Sequence, residues 1–530
     1  MTTREPCDYD VGLTSPRRQN PRAIVRALIL LFSTAFMATT LSTSAGQELC
    51  RNALAARATI VDKGVIAEAV DALYAKAGKG CVWTTESADA LAAAIAAAPE
   101  HGLDPELFGA SIIARHRSAS DEAARAQEDL RLTAGALKYA QVMTAGVGGI
   151  AATDEETDRR ALQKKLIDEM STALEEGRVA AWLATLPPQT TGYQRLKYAL
   201  GVYREFDAAG GWEALPARLA KKSGKRIARD ELLARRLRIE GDLTDDEPAD
   251  DSNPTVDALK HFQTRHGLAA SGKLDKGTLD ALNVSARDRV QQIAANLERW
   301  RAFSRAPAAT RVEVNAAAAT ATLFRDNKPV LHMNAVVGRP KHDTPILHST
   351  IMTIVINPPW IVPKSIIDKE IRPTIARDGD YLQRNHMYWS DDGQLIQEPG
   401  PQNSLGRIKF EFPNNYGVYL HDTPAHALFA DVDRAQSHGC VRLEHPLDLA
   451  EELLKDNADW PREAIEQAIR DGDTVRVPLE QEMPVVLAYW TVFVDDDGTI
   501  EFRPDVYDRD APLAAALLPQ ASLVTEGGGA

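Results

Sequence analysis

Gln436-Ser437-His438-Gly439-Cys440-Val441-Arg442-Leu443, taken with Tyr419-Leu420-His421-Asp422-Thr423-Pro424 upstream, governs how the rest of the chain is understood. A thiolate is a strong nucleophile, and a neighbouring imidazole or a helix start lowers a thiol's pKa enough to produce one. Cys440 follows a Ser-His-Gly turn, and the residues from Leu443 to Leu454 have the apolar spacing of a helix. A turn of this kind aims successive backbone N–H groups at one point, as a developing oxyanion requires. Gly439 lets the backbone bend where a Cβ would obstruct it. His421 lies 19 positions before Cys440, after an apolar run (Val418, Tyr419, Leu420) that reads as a strand. A strand, a loop and a return bring imidazole to thiol.

Blander readings compete. A lone buried cysteine is more often a small hydrophobe. His421, His426, His438, Cys440 and His445 crowd 25 positions and raise the question of zinc. They show neither C-x-x-C nor H-x-x-x-H spacing, and Cys440 has no cysteine partner nearby. The nucleophile is the preferred reading.

These residues also carry a resemblance. His421 followed by Ser437-His438-Gly439-Cys440-Val441-Arg442 is similar to the signature of the L,D-transpeptidases, bacterial enzymes that cross-link peptidoglycan through a catalytic cysteine. Asn357-Pro358-Pro359-Trp360 and the stretch from Gly400 to Phe410 resemble the large, multi-domain periplasmic branch. The likeness is strong from Val290 to Phe502 and looser elsewhere.

At 530 residues the chain exceeds what one hydrophobic core usually serves. A formal net charge of −14 gives no electrostatic footprint for nucleic acid, and that class is set aside. Arg17, Arg18, Arg22 and Arg26 precede an uncharged run from Ala27 to Gln47, with small residues at Thr43-Ser44-Ala45. This reads as a secretory signal or, uncleaved, as an inner-membrane anchor, and in either case as export to the periplasm. Cys7 lies in that leader. Cys50 and Cys81 are candidates for one disulfide in an oxidising compartment, which leaves Cys440 as the free thiol.

The expected architecture is multi-domain α+β. It comprises a leader (1–45), a helical scaffold (46–212), a small three-helix module (213–285), a connecting helix (286–308), a catalytic domain (309–480) and C-terminal strands with a tail (481–530). Helical periodicity marks the scaffold, with Asp104 placed to cap a turn at Pro105. Tyr74 and Trp83 resemble landmarks of the family's scaffold. The pattern Phe262-Gln263, Gly267-Leu268, Gly272, Thr278-Leu279, Leu282 resembles a peptidoglycan-binding module, and a purely structural role stays open. The acidic stretch Asp245 to Asp251 reads as a linker.

Beyond Val290 to Arg301, an amphipathic helix, the text turns to short β-rich runs: Arg311–Asn315, Ala321–Phe324, Val330–Val337, Thr353–Asn357, Thr474–Val477 and Ala488–Val494. With Asp326-Asn327 as a hairpin turn, they predict a β-sandwich-like domain. Pro363 to Pro399 interrupts the strands and resembles the family's capping insertion, a candidate lid over the cleft.

The expected chemistry is acyl transfer. His421 takes the thiol proton, leaving a thiolate–imidazolium pair; Cys440 attacks a peptide carbonyl; and the N–H groups of Gly439, Cys440 and His438 hold the oxyanion. Asp422 orients His421 through its side chain or its backbone carbonyl. Arg442 binds a substrate carboxylate or braces the loop, while Ser437, Trp360 and Tyr388 are candidate substrate contacts. The resemblance implies a tetrapeptide stem as acyl donor, release of D-alanine, a 3→3 cross-link to a neighbouring stem, and acylation by carbapenems. It implies no metal or organic cofactor. Transfer to water or to a lipoprotein, and a non-enzymatic wall-binding role, are the alternatives.

Overall fold

Alternating apolar residues between Arg311 and Ala488 build one continuous sheet, seen here in a computed structural model. The described residues are 65–76, 81–114, 122–148, 156–216, 223–244, 253–303 and 307–517. The expected leader, Cys50, the acidic linker and the glycine-rich tail lie outside them.

The strands are β1 (Arg311–Asn315), β2 (Thr320–Arg325), β3 (Lys328–Gly338), β4 (Leu347–Ile356), β5 (Trp360–Ile361), β6 (Met387–Trp389), β7 (Leu395–Gln397), β8 (Ile408–Glu411), β9 (Leu420–His421), β10 (Ala435–Ser437), β11 (Val441–Leu443), β12 (Val475–Ala488), β13 (Val492–Val494) and β14 (Ile500–Phe502). Nine of them form a sheet in the order β10-β3-β11-β9-β8-β4-β12-β1-β2, and β2 also pairs with β3. The sheet therefore closes on itself around a core that includes Val312, Ala335, Ile354, Phe410, Leu420, Val441 and Val485. Asp326 and Asn327, with φ of 51° and 61°, make the hairpin turn between β2 and β3; both tolerate the left-handed region that such turns demand.

Two features depart from the sequence reading. The runs near Thr474–Val477 and Ala488 belong to one strand, β12, whose register shifts between Pro478 and Met483. Prolines at Pro478 and Pro484 and the polar run between them disguise its alternation. This strand passes straight through the boundary expected at residue 480. After Cys440 comes β11, and the helix begins only at Pro446 (Pro446–Leu454), so no helix start faces the thiol.

The helical half packs around helices such as Thr85–Ala96, Glu122–Ala145 and Glu156–Glu175. Tyr74 and Trp83 are anchored on the second of these: the Tyr74 hydroxyl donates to Asp129 at 2.5 Å and the Trp83 indole to Thr133 at 2.9 Å. Asp104 accepts from the Glu106 amide at 2.8 Å, capping its turn. Cys81 is disulfide-bonded. In the module, helices Pro254–Arg265 and Lys276–Leu282 are locked by buried Gln263, which donates to Thr278 and Lys273 and accepts from Gly272. Arg236 and Arg265 both pair with buried Glu240, and the Tyr203 hydroxyl of the scaffold donates to it at 2.6 Å. Glu240 thus joins module to scaffold.

Helix Ala286–Ala302 is the spine. Its Arg301 donates to the His101 carbonyl (2.7 Å) and pairs with Glu298. The hairpin β13–β14 returns from the sheet to pack Val492 and Phe502 against Tyr203, Ile293 and Leu297.

Candidate active site

The register places the expected catalytic residues together. In the parallel pair β9–β11, Val441 lies beside Leu420 and Arg442 beside His421; in the antiparallel pair β8–β9, Lys409 lies beside His421. Because successive side chains alternate between faces, Phe410, Leu420 and Val441 turn into the core. Lys409, Tyr419, His421, Cys440 and Arg442 share the opposite face. The amide of Val441 donates to the Tyr419 carbonyl at 3.1 Å, fixing Cys440 alongside Tyr419.

His421 is buried, and its Nδ1 donates to the backbone carbonyl of Asp422 at 2.5 Å. The Asp422 carboxylate is engaged elsewhere, accepting from the Arg407 and Thr423 amides at 2.7 Å each. Orientation of the imidazole therefore runs through the backbone of Asp422. Cys440 is a free, partly exposed thiol whose Sγ lies 4.0 Å from the Gly417 carbonyl. The Tyr419 hydroxyl meets both the Cys440 thiol and the Trp360 indole.

Burial holds the His421 imidazole down to about 3, with the nearby Arg442 charge acting in the same direction. Burial also pushes the Cys440 thiol up, against opposing pulls from Tyr419, Lys409 and Arg442. Both shifts favour the neutral forms of thiol and imidazole, since desolvation opposes charge on either.

The turn holding the thiol is internally braced. Gly439 has φ of 116°, a conformation glycine adopts without a Cβ penalty. Its carbonyl accepts from Thr344 Oγ1 (2.9 Å), and the same hydroxyl accepts from the Gly338 amide. Ser437 Oγ donates to the Cys440 carbonyl (2.5 Å) and accepts the Gly439 N–H (3.1 Å). Two expectations change here. Ser437 is buried with its hydroxyl bonded on both sides inside the turn, which points to a bracing role in place of a substrate contact. The Gly439 N–H is already bonded, so it is no oxyanion donor. Among the described residues, the N–H groups of His438 and Cys440 make no hydrogen bond.

The L,D-transpeptidase catalytic domain family (YkuD) matches residues 309–477, a scaffold-domain family matches 68–200, and a family described as peptidoglycan binding matches 231–282. The chain carries an L,D-transpeptidase catalytic domain. A Haemophilus influenzae protein named as an L,D-transpeptidase is 29% identical over 212 residues, 36% of this chain and 43% of that protein, so the chain matches less than half of that relative's length. Solved structures also align. The catalytic domain of the E. faecium L,D-transpeptidase acylated by ertapenem is 14% identical over 34% of this chain and 98% of that one, with a TM-score of 0.18. An L,D-transpeptidase from Xylanimonas cellulosilytica is 15% identical over 52% and 98%, with a TM-score of 0.17. Scores this low carry no argument about the chain as a whole.

Around the L,D-transpeptidase site, the insertion 363–400 forms a small body together with the strand just before it. Strands β5, β7 and β6 make a three-stranded sheet over Val362, Ile367, Ile371, Met387 and Leu395. Trp360, on β5, reaches Tyr419. Tyr388 stands on the outer strand β6, exposed, two strands away from Trp360, and the structure does not bring it to the thiol. Arg442 faces the site, and its buried Nε has no hydrogen-bond partner.

Sequence reasoning passed over Tyr419, Lys409, Thr344 and Glu370. The two-residue spacing of Tyr419 and His421 was the available signal for the first. Lys409, inside a stretch already noted for its resemblance, comes beside His421 through strand pairing, and Thr344 and Glu370 reach Gly439 and His438 through contacts between distant segments.

Proposed function

We propose that this chain is an exported peptidoglycan L,D-transpeptidase that uses Cys440 as nucleophile. What supports this reading above all is the β8–β9–β11 register, which puts His421, Cys440 and Arg442 on one face beside two unpartnered backbone N–H groups. Cys440 Sγ attacks the carbonyl of the penultimate residue of a tetrapeptide stem while His421 takes the thiol proton through its Nε2. Proton transfer accompanies attack, in keeping with a neutral resting pair. The N–H groups of His438 and Cys440 stabilise the oxyanion; losing one such donor typically costs about 3–4 kcal/mol of barrier lowering. The C–N bond breaks, His421 passes its proton to the departing D-alanine amine, and a thioester remains. The side-chain amine of a neighbouring stem then attacks the thioester, its proton leaves by way of His421 to the sulfur, and a 3→3 cross-link results. Arg442, with its free Nε, receives a stem carboxylate, and the insertion caps the cleft.

The test is mass spectrometry of the full chain incubated with disaccharide-tetrapeptide, wild type against Cys440→Ala. The expected product is a cross-linked dimer lacking one D-alanine, absent in the variant. Trimmed tripeptide alone would make the enzyme a carboxypeptidase. Identical products from both proteins would refute the cysteine mechanism.

A further inference from the structure

The insertion meets the catalytic turn at the Glu370 carboxylate. Glu370 lies in a π-helical turn, Ile367–Ile371, a rare local geometry that recurs at functional sites. Its Oε1 is 2.6 Å from His438 Nε2. Arg339, on the loop after β3, places Nη2 3.1 Å from the same oxygen and 2.9 Å from the same ring nitrogen. An arginine only donates, and an ionised carboxylate only accepts. Burial opposes ionisation of Glu370, yet hydrogen bonds from His438 and Arg339 hold its carboxyl below the usual range. With Glu370 ionised, His438 Nε2 carries a proton and donates it to the carboxylate, and Arg339 donates to the same oxygen. His342 closes the other side, edge-on to the His438 ring at 5.2 Å.

His438 is the residue whose backbone N–H stands unpartnered next to Cys440, with the intervening Gly439 N–H tied to Ser437. Because side-chain rotamers are coupled to backbone torsions, a ring held at its tip restrains its own backbone, and with it the direction of that N–H.

We propose that Glu370 is a positioning residue for the oxyanion site: the insertion supplies the carboxylate that clamps His438 and thereby aims the His438 N–H at the carbonyl attacked by Cys440. This rests on the acyl-transfer reading above. Glu370 acts through His438 and touches no reacting atom. The site is then complete only while the insertion is seated, so capping the cleft and assembling the oxyanion donors become one event.

Two thiol reagents separate this role from a merely structural one. Iodoacetamide alkylates Sγ by displacing iodide, a step with no oxyanion. Ertapenem acylates Sγ through its β-lactam carbonyl: the S–C bond forms, the ring C–N bond breaks and the ring nitrogen gains a proton, all by way of an oxyanion. In full-length Glu370→Ala, acylation is expected to slow at least about ten-fold, since small misplacements of such groups cost that much or more. Alkylation is expected to keep its wild-type rate. Glu370→Gln, which retains an oxygen acceptor, should recover much of the acylation rate. Parallel changes with both reagents, or acylation at the wild-type rate in Glu370→Ala, would overturn the proposal. Alkylation of the wild type without any acylation would instead defeat the acyl-transfer reading beneath it.

Discussion

Replacing Ser437 by alanine separates bracing from substrate binding. The hydroxyl donates to the Cys440 carbonyl at 2.5 Å and accepts the Gly439 N–H at 3.1 Å, and the residue is 2% exposed. Alanine keeps the volume and strands both backbone groups. A buried polar group left unsatisfied costs about 1–3 kcal/mol. If water reaches one of the two, a net loss of about 2 kcal/mol remains, which at 1.4 kcal/mol per decade is roughly a 30-fold loss of the correctly formed turn. The assay is steady-state turnover of disaccharide-tetrapeptide by Ser437→Ala. A fall of about 10- to 100-fold in kcat with KM little changed is expected, because the turn carries the nucleophile and touches no substrate through this hydroxyl. A rise in KM at unchanged kcat would mean that Ser437 contacts substrate, and the bracing argument would fail.

Further outcomes follow from other parts of the molecule. In Gly338→Ala, the new Cβ would press on the His342 carbonyl and lie 2.6 Å from the Thr344 amide, both backbone atoms. A loss of about 1–3 kcal/mol in denaturant unfolding is expected, with loss of turnover because Thr344 holds Gly439. Burial, aided by Lys197 and Arg301, lowers His101 from 6.5 to about 3. A depressed histidine contributes stability that is present above 6.5 and is lost as pH falls toward 3, so His101→Gln should show a shallower acid loss of Tm than wild type. A curve parallel to wild type would contradict burial as the cause. Arg265→Ala leaves Glu240 and Asp242 buried without their main partner, at a cost of about 3–5 kcal/mol. Denaturant unfolding followed by Trp212 fluorescence should register it; an unchanged midpoint would show the network to be dispensable.

What the sequence made legible was what local chemistry encodes. The Ser-His-Gly-Cys turn, the Asp326-Asn327 hairpin and the alternation of β1 to β4 each announce themselves within a few residues. The cysteine and histidine were nameable because thiol and imidazole chemistry needs those side chains. Register was not legible: nothing within β8, β9 or β11 states that Lys409, His421 and Arg442 will lie abreast. The role of Ser437 was hidden because a serine in a catalytic motif fits either a substrate or its own backbone, and only the fold chooses. β12 was split because two prolines and a bulge break its period. Glu370 carries no pattern at all; its meaning comes from a contact with His438, 68 positions away.

The spine helix and the returning hairpin bear on how this molecule can be divided. Trp300, near the end of the helix, stacks on Trp490, just past β12, with ring centroids 4.7 Å apart. The polypeptide thus enters and leaves its catalytic sheet at the same doorstep, and both crossings are fastened to the helical half. An excised fragment ending with the family match at residue 477 would sever β12 between β4 and β1, stripping Val485 and Leu487 from the interior. Evolution or engineering can therefore exchange the catalytic sheet only as a cassette that carries its own return strap, with a complementary seat on the scaffold that receives it.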